Sequence, residues 1–309
     1  MSEILIMGHK NPDTDSICSS IVKEIFDKKN GKDNLKAVRL GNVNKETEYV
    51  LNYLKIDAPE LVERIEDGQE VILVDHNEFG QSVANIENAK IKEVVDHHRV
   101  ANFQTLEPLF YTAKPYGCTS TILFGEFKSE GYEIDNKTAI LMLSAIISDT
   151  LLLKSPTCTE KDKEAYSELE KIAGIDAEKY GLEMLKAGTD LSTYSAKEVI
   201  NLDAKEFEEK GKKFVVSQVN TADIADVFQR KEEISFAMEK EIVEKGLNFF
   251  MFVITDIINT NSKIIVLGQD KEIAEKAFGN KLDSDDAMIL EGVVSRKKQI
   301  APPLLANIG

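Results

Sequence analysis

Apolar residues along this chain fall into two kinds of run. Ile4-Leu5-Ile6-Met7, Val71-Ile72-Leu73-Val74 and the shorter Val94-Val95 are continuous and bounded by polar turns, the pattern of strands buried on both faces. Residues 16–28, 47–54, 119–128, 136–147 and 160–172 instead carry apolar side chains at helical spacing. Strand–helix alternation of this kind predicts a parallel sheet flanked by helices. A small polar stretch, Gly188-Thr189-Asp190-Leu191-Ser192-Thr193, then interrupts the pattern. Beyond it the chain restarts. Residues 213–219, 249–254 and 263–267 read as strands and 224–244 as one long helix. Val293-Val294 reads as a last strand feeding the basic run Ser295-Arg296-Lys297-Lys298-Gln299. The expectation is an α/β protein of two domains: 1–188 with a mainly parallel sheet, a linker at 189–195, and a smaller α/β domain at 196–309. Clefts between domains favour ligand sites.

Composition narrows the function classes. The 309 residues are 42% hydrophobic, ample for two ordinary cores, yet no run of 18 apolar residues occurs. The apolar run after Met1-Ser2-Glu3 is too short and too acidic at its flank for a signal peptide. Three widely spaced cysteines, Cys18, Cys118 and Cys158, argue against a disulfide framework and for a reducing, cytoplasmic setting. A net charge of −16 speaks against nucleic acid or an anionic membrane as partner. A small phosphorylated substrate is still compatible, because bound metal ions reverse the sign of the field locally.

The candidate chemistry lies in the histidines. There are four: His9 in Gly8-His9-Lys10-Asn11-Pro12-Asp13-Thr14-Asp15-Ser16, His76 in Val74-Asp75-His76-Asn77-Glu78, and His97 and His98 in Asp96-His97-His98-Arg99. Each segment follows an apolar strand-like run and carries aspartate. In open parallel sheets ligands bind beyond the carboxyl ends of strands, so the three loops could converge on one edge. Asp149, at the end of an apolar helix, is a fourth contributor. Taken singly, each residue has a plainer reading: a lone histidine is usually structural, and Asp15 could serve only to cap a helix. Together, imidazole and carboxylate suit a pair of transition-metal ions such as Mn, Co, Fe or Zn. Two ions roughly 3.5–4 Å apart need a bridging carboxylate and can hold a water that ionises near neutral pH. Asp13, Asp15, Asp75 and Asp149 would roughly neutralise two divalent ions. A highly anionic substrate therefore needs further cations, which the Arg296-Lys297-Lys298 run can supply.

These segments, with Ser148-Asp149-Thr150, Gly117-Cys118-Thr119, Lys154-Ser155-Pro156-Thr157 and Asp203-Ala204-Lys205-Glu206-Phe207, resemble the family II, manganese-dependent inorganic pyrophosphatases of the DHH phosphoesterase superfamily over essentially the whole chain. The resemblance implies two Mn2+ (or Co2+) ions, one held by His9, Asp13 and Asp75, the other by Asp15, Asp75, His97 and Asp149. Asp75 would bridge them. It implies that His98, Lys205, Arg296 and Lys297 grip pyrophosphate, with His98, Lys205 and Arg296 acting in catalysis and further Mg2+ or Mn2+ arriving with the substrate. A bridging hydroxide would attack one phosphorus in line while the other phosphate leaves. It also implies a homodimer through the first domain. His76 is expected to support the ligands rather than bind metal. An exopolyphosphatase or nuclease of the same superfamily is the nearest alternative. No histidine follows His98 and no glycine-rich run occurs in the second half, which disfavours the nuclease. A non-enzymatic phosphate or nucleotide sensor is the alternative from another class.

Overall fold

A computed structural model describes residues 3–308. The chain divides into two compact units that meet at Gly188 and Thr189. In the first, β1 (Ile4–Met7) leads to α1 (Thr14–Lys29), β2 (Leu35–Arg39), α2 (Lys45–Leu54), the two-residue β3 (Glu60–Leu61) and β4 (Glu70–Val74). Then come β5 (Lys90–Asp96), β6 (Phe110–Ala113) and four helices, α3 (Thr119–Glu130), α4 (Asn136–Thr150), α5 (Glu160–Ala173) and α6 (Ala177–Gly188). The six strands lie in the order β3-β2-β1-β4-β5-β6 and every pairing is parallel. From β1, strands β2 and β3 step one way and β4, β5 and β6 step the other. The direction of winding therefore reverses between β1 and β4, leaving a crevice at the carboxyl ends of those two strands. His9 and Asp75 are the residues that leave those ends.

β2, the two-residue β3 and β6 escape a hydrophobic reading, and β5 is read only in part. In β2, Lys36 and Arg39 break the apolar run. β6 is an edge strand with Phe110 exposed. β5 is longer than Val94-Val95, because alternation of exposed Lys90 and Lys92 with buried Ile91 hides its first half.

The second unit contains α7 (Ala196–Val199), β7 (Ala204–Glu209), β8 (Lys212–Thr221), α8 (Ile224–Phe228), α9 (Lys231–Lys245), β9 (Phe249–Asp256), β10 (Asn261–Gly268), α10 (Glu272–Phe278), β11 (Ala287–Leu290) and α11 (Ala301–Ala306). Its sheet runs β11-β10-β9-β8-β7, with β8 and β9 parallel and the rest antiparallel. All eight residues of β9 are buried. Phe250, Phe252 and Ile254 pack on one face, and Phe249, Met251 and Val253 on the other. Each fully buried phenylalanine contributes roughly 1.5–3 kcal/mol, so this strand is the spine of both cores.

Two expectations for this unit are corrected. The single helix over 224–244 is two helices. The first stops at Gln229, and the Arg230 guanidinium turns away to donate to the carbonyls of Leu191 and Tyr194. Apolar periodicity carries across such a break and cannot reveal it. Val293-Val294 is not a strand: β11 ends at Leu290, Gly292 turns the chain at φ 68°, and the stretch to Ser295 is loop. That loop is held by Gln299, whose Oε1 accepts from the Val294 and Ser295 amides and whose Nε2 donates to Gly292. The stretch 189–195 packs on the second unit, with Leu191 against its core.

Candidate metal centre

Each expected ligand is set by the local structure of its loop. After β1 the chain must turn sharply into α1. Gly8 permits this, because a Cβ there would lie 2.1 Å from Ser16 Oγ. That hydroxyl instead accepts the His9 amide at 2.9 Å, which aims the imidazole across the crevice. Asp13 caps α1: its Oδ1 accepts the Ser16 amide at 2.9 Å, leaving Oδ2 3.4 Å from His9 Nε2. Asp15, fully buried, accepts from Ser19 Oγ at 2.6 Å and from the amides of Thr119 and Ser120 at 2.7 and 3.3 Å. These two amides open α3, where donors without helical partners favour an anion.

Asp75 follows β4 in the left-handed region, φ 60°, a cost that non-glycine residues bear mostly at functional sites. The turn points its carboxylate into the crevice. Oδ1 accepts from Thr119 Oγ1 at 3.2 Å and lies 3.3 Å from His97 Nε2. Oδ2 is buried, has no hydrogen-bond donor, and lies 3.4 Å from His9 Nε2. His97 is oriented from behind, its Nδ1 3.0 Å from the Tyr116 carbonyl, so that Nε2 faces inward. Nε2 is also 3.6 Å from Asp149 Oδ2. Asp149 sits in the last turn of α4, which ends in three consecutive left-handed leucines, Leu151, Leu152 and Leu153.

The ligand atoms gather into groups within 4.8 Å: His9, Asp13 and Asp75; Asp15, Asp75, His97 and Asp149; and Asp75, His97 and His98. Asp75 is common to all three. Around an ion with tetrahedral bonds of about 2.0–2.2 Å, neighbouring donors stand about 3.3–3.6 Å apart, so the separations of 3.3–3.6 Å fit metal coordination. The orphaned Oδ2 of Asp75 is satisfied by the same explanation. Mixed imidazole and carboxylate donors match manganese chemistry.

His98 belongs to the third group only at a longer distance, its Nδ1 3.8 Å from Asp75 Oδ1, and His76 belongs to none of them. His98 is half exposed, and its Nδ1 lies 3.0 Å from Asp96 Oδ1. Asp96 is fully buried and is itself held by Asn77 Nδ2 at 2.6 Å. His76 is buried with both ring nitrogens occupied, by the Val74 carbonyl at 2.9 Å and Ser82 Oγ at 3.0 Å. Burial holds its pKa down to about 4, so it stays neutral.

The remaining predicted residues belong to the second unit. Arg296 and Lys297 line a concave patch with Asp203, Gln218, Asn220 and Ser295. They open a π-type turn in which the Ala301 amide reaches the Arg296 carbonyl. The Arg296 guanidinium pairs with Asp203 Oδ1 at 2.7 Å and also donates to the Asp203 carbonyl. Gln218 steadies the loop by accepting the Arg296 amide and donating to Val294 O. Lys205 lies on β7, two residues from Asp203, with Nζ 5.5 Å from the Phe207 ring. That ring stacks on Phe214, and both Lys205 and Lys297 are exposed.

Known proteins carry the same organisation. The DHH family N-terminal domain matches residues 3–146 and the DHHA2 domain residues 182–307. A probable manganese-dependent inorganic pyrophosphatase of Staphylococcus carnosus is 53% identical over the full length of both chains. The manganese-dependent inorganic pyrophosphatase of Bacillus subtilis is 52% identical over 98% of each. The chain belongs to the manganese-dependent inorganic pyrophosphatases. A crystal structure of a putative family II inorganic pyrophosphatase from Methanococcus jannaschii, 41% identical, superposes with a TM-score of 0.62 over 98% of this chain and 99% of that one.

For a pyrophosphatase of this family, the metal-free centre has a definite proton inventory. Burial disfavours the charged form of His9, but the Asp13 and Asp75 carboxylates, each 3.4 Å from Nε2, outweigh it and raise its pKa to about 11. His97 is likewise opposed by burial yet raised to about 9 by Asp75 and Asp15. Burial and the Asp75 charge raise Asp15 to about 6. At pH 7 both imidazoles therefore carry protons that a metal must displace. Burial and the neighbouring carboxylates also raise Asp149 well above the usual carboxylate range. Calorimetric Mn2+ titrations in buffers of different ionisation enthalpy should therefore show release of at least two protons per chain. Affinity should rise with pH up to about 11, more steeply below about 9, where His97 is half deprotonated in the metal-free centre while His9 still holds its proton. Proton-neutral binding would contradict this picture.

The residues that orient the ligands were the harder ones to find from sequence. Thr119 closes the Gly117-Cys118-Thr119 segment, whose signal is a small-residue turn opening a helix, and Ser120 is the next residue, outside it. Asp96 adjoins the histidine pair but differs in role from the other aspartates only through its burial.

Proposed function

We propose that this chain hydrolyses inorganic pyrophosphate to two phosphates, using a pair of Mn2+ (or Co2+) ions, with Mg2+ or Mn2+ entering alongside the substrate. The observation that carries the two-ion reading is Asp75, whose two oxygens face two different imidazoles from a single buried carboxylate. His9, Asp13 and Asp75 would hold one ion, and Asp15, Asp75, His97 and Asp149 the other. The ions, when bound, offset the charge of the substrate and acidify water.

The chain's own residues supply the rest. Asp96 accepts from His98 Nδ1, fixing the ring so that Nε2 is left for a phosphate oxygen. The hydrogen bond to Asp96 raises the His98 pKa against the opposing effect of burial, which keeps a proton available for donation near neutral pH. Lys205, Arg296 and Lys297 provide the cations that a compact tetra-anion requires and stabilise charge on the leaving phosphate. Phosphate release from pyrophosphate, tripolyphosphate and a short oligonucleotide, measured with Mn2+, tests the assignment. Turnover confined to pyrophosphate is expected. Faster attack on tripolyphosphate would favour the exopolyphosphatase reading.

Association as a homodimer through the first unit is part of the same proposal. Support comes from β6, an edge strand with Phe110 78% exposed, preceded by Leu106, which is fully exposed. Replacing Phe110 by Glu should shift sedimentation toward the monomer, whereas an unchanged coefficient would place the contact elsewhere. A nucleic-acid partner is not expected from the charge. Among the described residues, no helix is long and apolar enough to cross a membrane.

A further inference from the structure

Apart from Asp75, which follows β4, the carboxylates of the centre come from two helix ends far apart in sequence. Asp13 and Asp15 belong to the start of α1, and Asp149 to the last turn of α4. Asp15 and Asp149 place oxygens within 4.8 Å of one another. Two carboxylates this close repel when both are charged. Something must hold the two helix ends together before metal arrives.

Glu46, the second residue of α2, stands between them. Its Oε1 accepts from Thr14 Oγ1 at 2.6 Å and from Ser148 Oγ at 2.5 Å. Thr14 lies between the ligands Asp13 and Asp15, and Ser148 immediately precedes Asp149. One carboxylate oxygen therefore ties the neighbour of two ligands on one helix to the neighbour of a third on another. Glu46 is braced in turn. Asn44 caps α2 by accepting the Thr47 amide at 2.8 Å, and Thr47 Oγ1 lies 3.2 Å from Thr14 Oγ1. On its other side stands Gly188, where a Cβ would come 2.9 Å from Glu46 Cβ and 3.1 Å from Oε2. The backbone leaves the glutamate little room to swing away.

We propose that Glu46 is a positioning residue for the metal centre, a clamp that sets the spacing of the α1 and α4 carboxylates and so preorganises the site for its second ion. The inference rests on the two-metal reading given above. It requires an acceptor oxygen at this point and two hydroxyl donors, not a negative charge as such.

Mn2+ titration of the full chain, followed by the paramagnetic resonance of free Mn2+, tests it on four proteins: the parent, Glu46→Ala, Glu46→Gln and the double variant Thr14→Val with Ser148→Ala. Glu46→Ala and the double variant should each weaken the weaker Mn2+ site by about 10-fold or more, the range seen when groups supporting a ligand shell are removed. Glu46→Gln keeps an oxygen for both hydroxyls and should stay much nearer the parent. Parent-like affinity in Glu46→Ala or in the double variant would overturn the proposal. So would a glutamine variant as weak as the alanine one, since charge rather than the clamp would then be at work. Circular dichroism of the metal-free proteins checks that the variants fold. If Glu46→Ala does not, the other two decide. A parent that binds fewer than two Mn2+ ions would instead defeat the two-metal reading itself.

Discussion

Asp75→Asn should abolish stable binding of both metal ions and lower pyrophosphate turnover by on the order of a thousandfold or more. Asparagine preserves the shape but offers one oxygen and an amide that repels a cation. Asp75 is common to every ligand group, is buried, and presents Oδ1 toward His97 and Oδ2 toward His9. No neighbouring carboxylate faces both. The loss should extend to both ions, which sets Asp75 apart from Asp13 or Asp149, each belonging to one group. Metal analysis after desalting, together with phosphate release, checks this. Two retained ions with near-normal turnover would show that the bridge is elsewhere. In the metal-free protein burial disfavours the Asp75 charge, but His9 and His97 outweigh it and hold its pKa well below the usual carboxylate range. The substitution should therefore cost some stability, and circular dichroism checks that the variant folds.

The second large effect concerns Arg296→Ala, which should reduce kcat/KM for pyrophosphate by about 100- to 1000-fold while leaving metal content unchanged. Arginine offers a planar fork suited to phosphate oxygens, which lysine does not reproduce, so Arg296→Lys should recover only part of the loss. The guanidinium is already oriented by Asp203 and its backbone is held by Gln218. Asp203→Asn should therefore cost less than Arg296→Ala, since it loosens the arginine without removing it. Steady-state kinetics with parallel metal analysis separates the cases. Loss of metal in Arg296→Ala, or unaltered turnover, would show that the basic run does not serve the substrate.

The chemistry was legible because metal ligands are few, chemically distinctive and concentrated near strand ends. Asp13, Asp15, His9, Asp75 and His97 stand in short segments behind apolar runs, and that arrangement alone suggests a shared edge. What could not be read was the support behind them. Glu46 lies in Lys45-Glu46-Thr47-Glu48, which looks like any acidic first turn of a surface helix, and its bonds reach Ser148, 102 positions along the chain. The two roles of Asp13, as cap and as candidate ligand, are divided between its two oxygens, a distinction no pattern of residue types encodes.

Fold class and the alternation of strands and helices were determined by the sequence itself, because hydrophobic periodicity is local and buried strands such as β4 and β9 are nearly pure apolar runs. The same holds for the identity of the donors, since the chemistry of imidazole and carboxylate does not depend on where they lie. Tertiary structure decided everything that depends on direction and distance. It placed the reversal of winding between β1 and β4, broke the expected helix at Arg230, turned 293–294 into a loop around Gln299, and brought Thr119 onto Asp15 and Glu46 onto two helix ends. Such contacts join residues dozens of positions apart through one or two hydrogen bonds, each too weak and too dependent on its surroundings to leave a periodic mark on the chain.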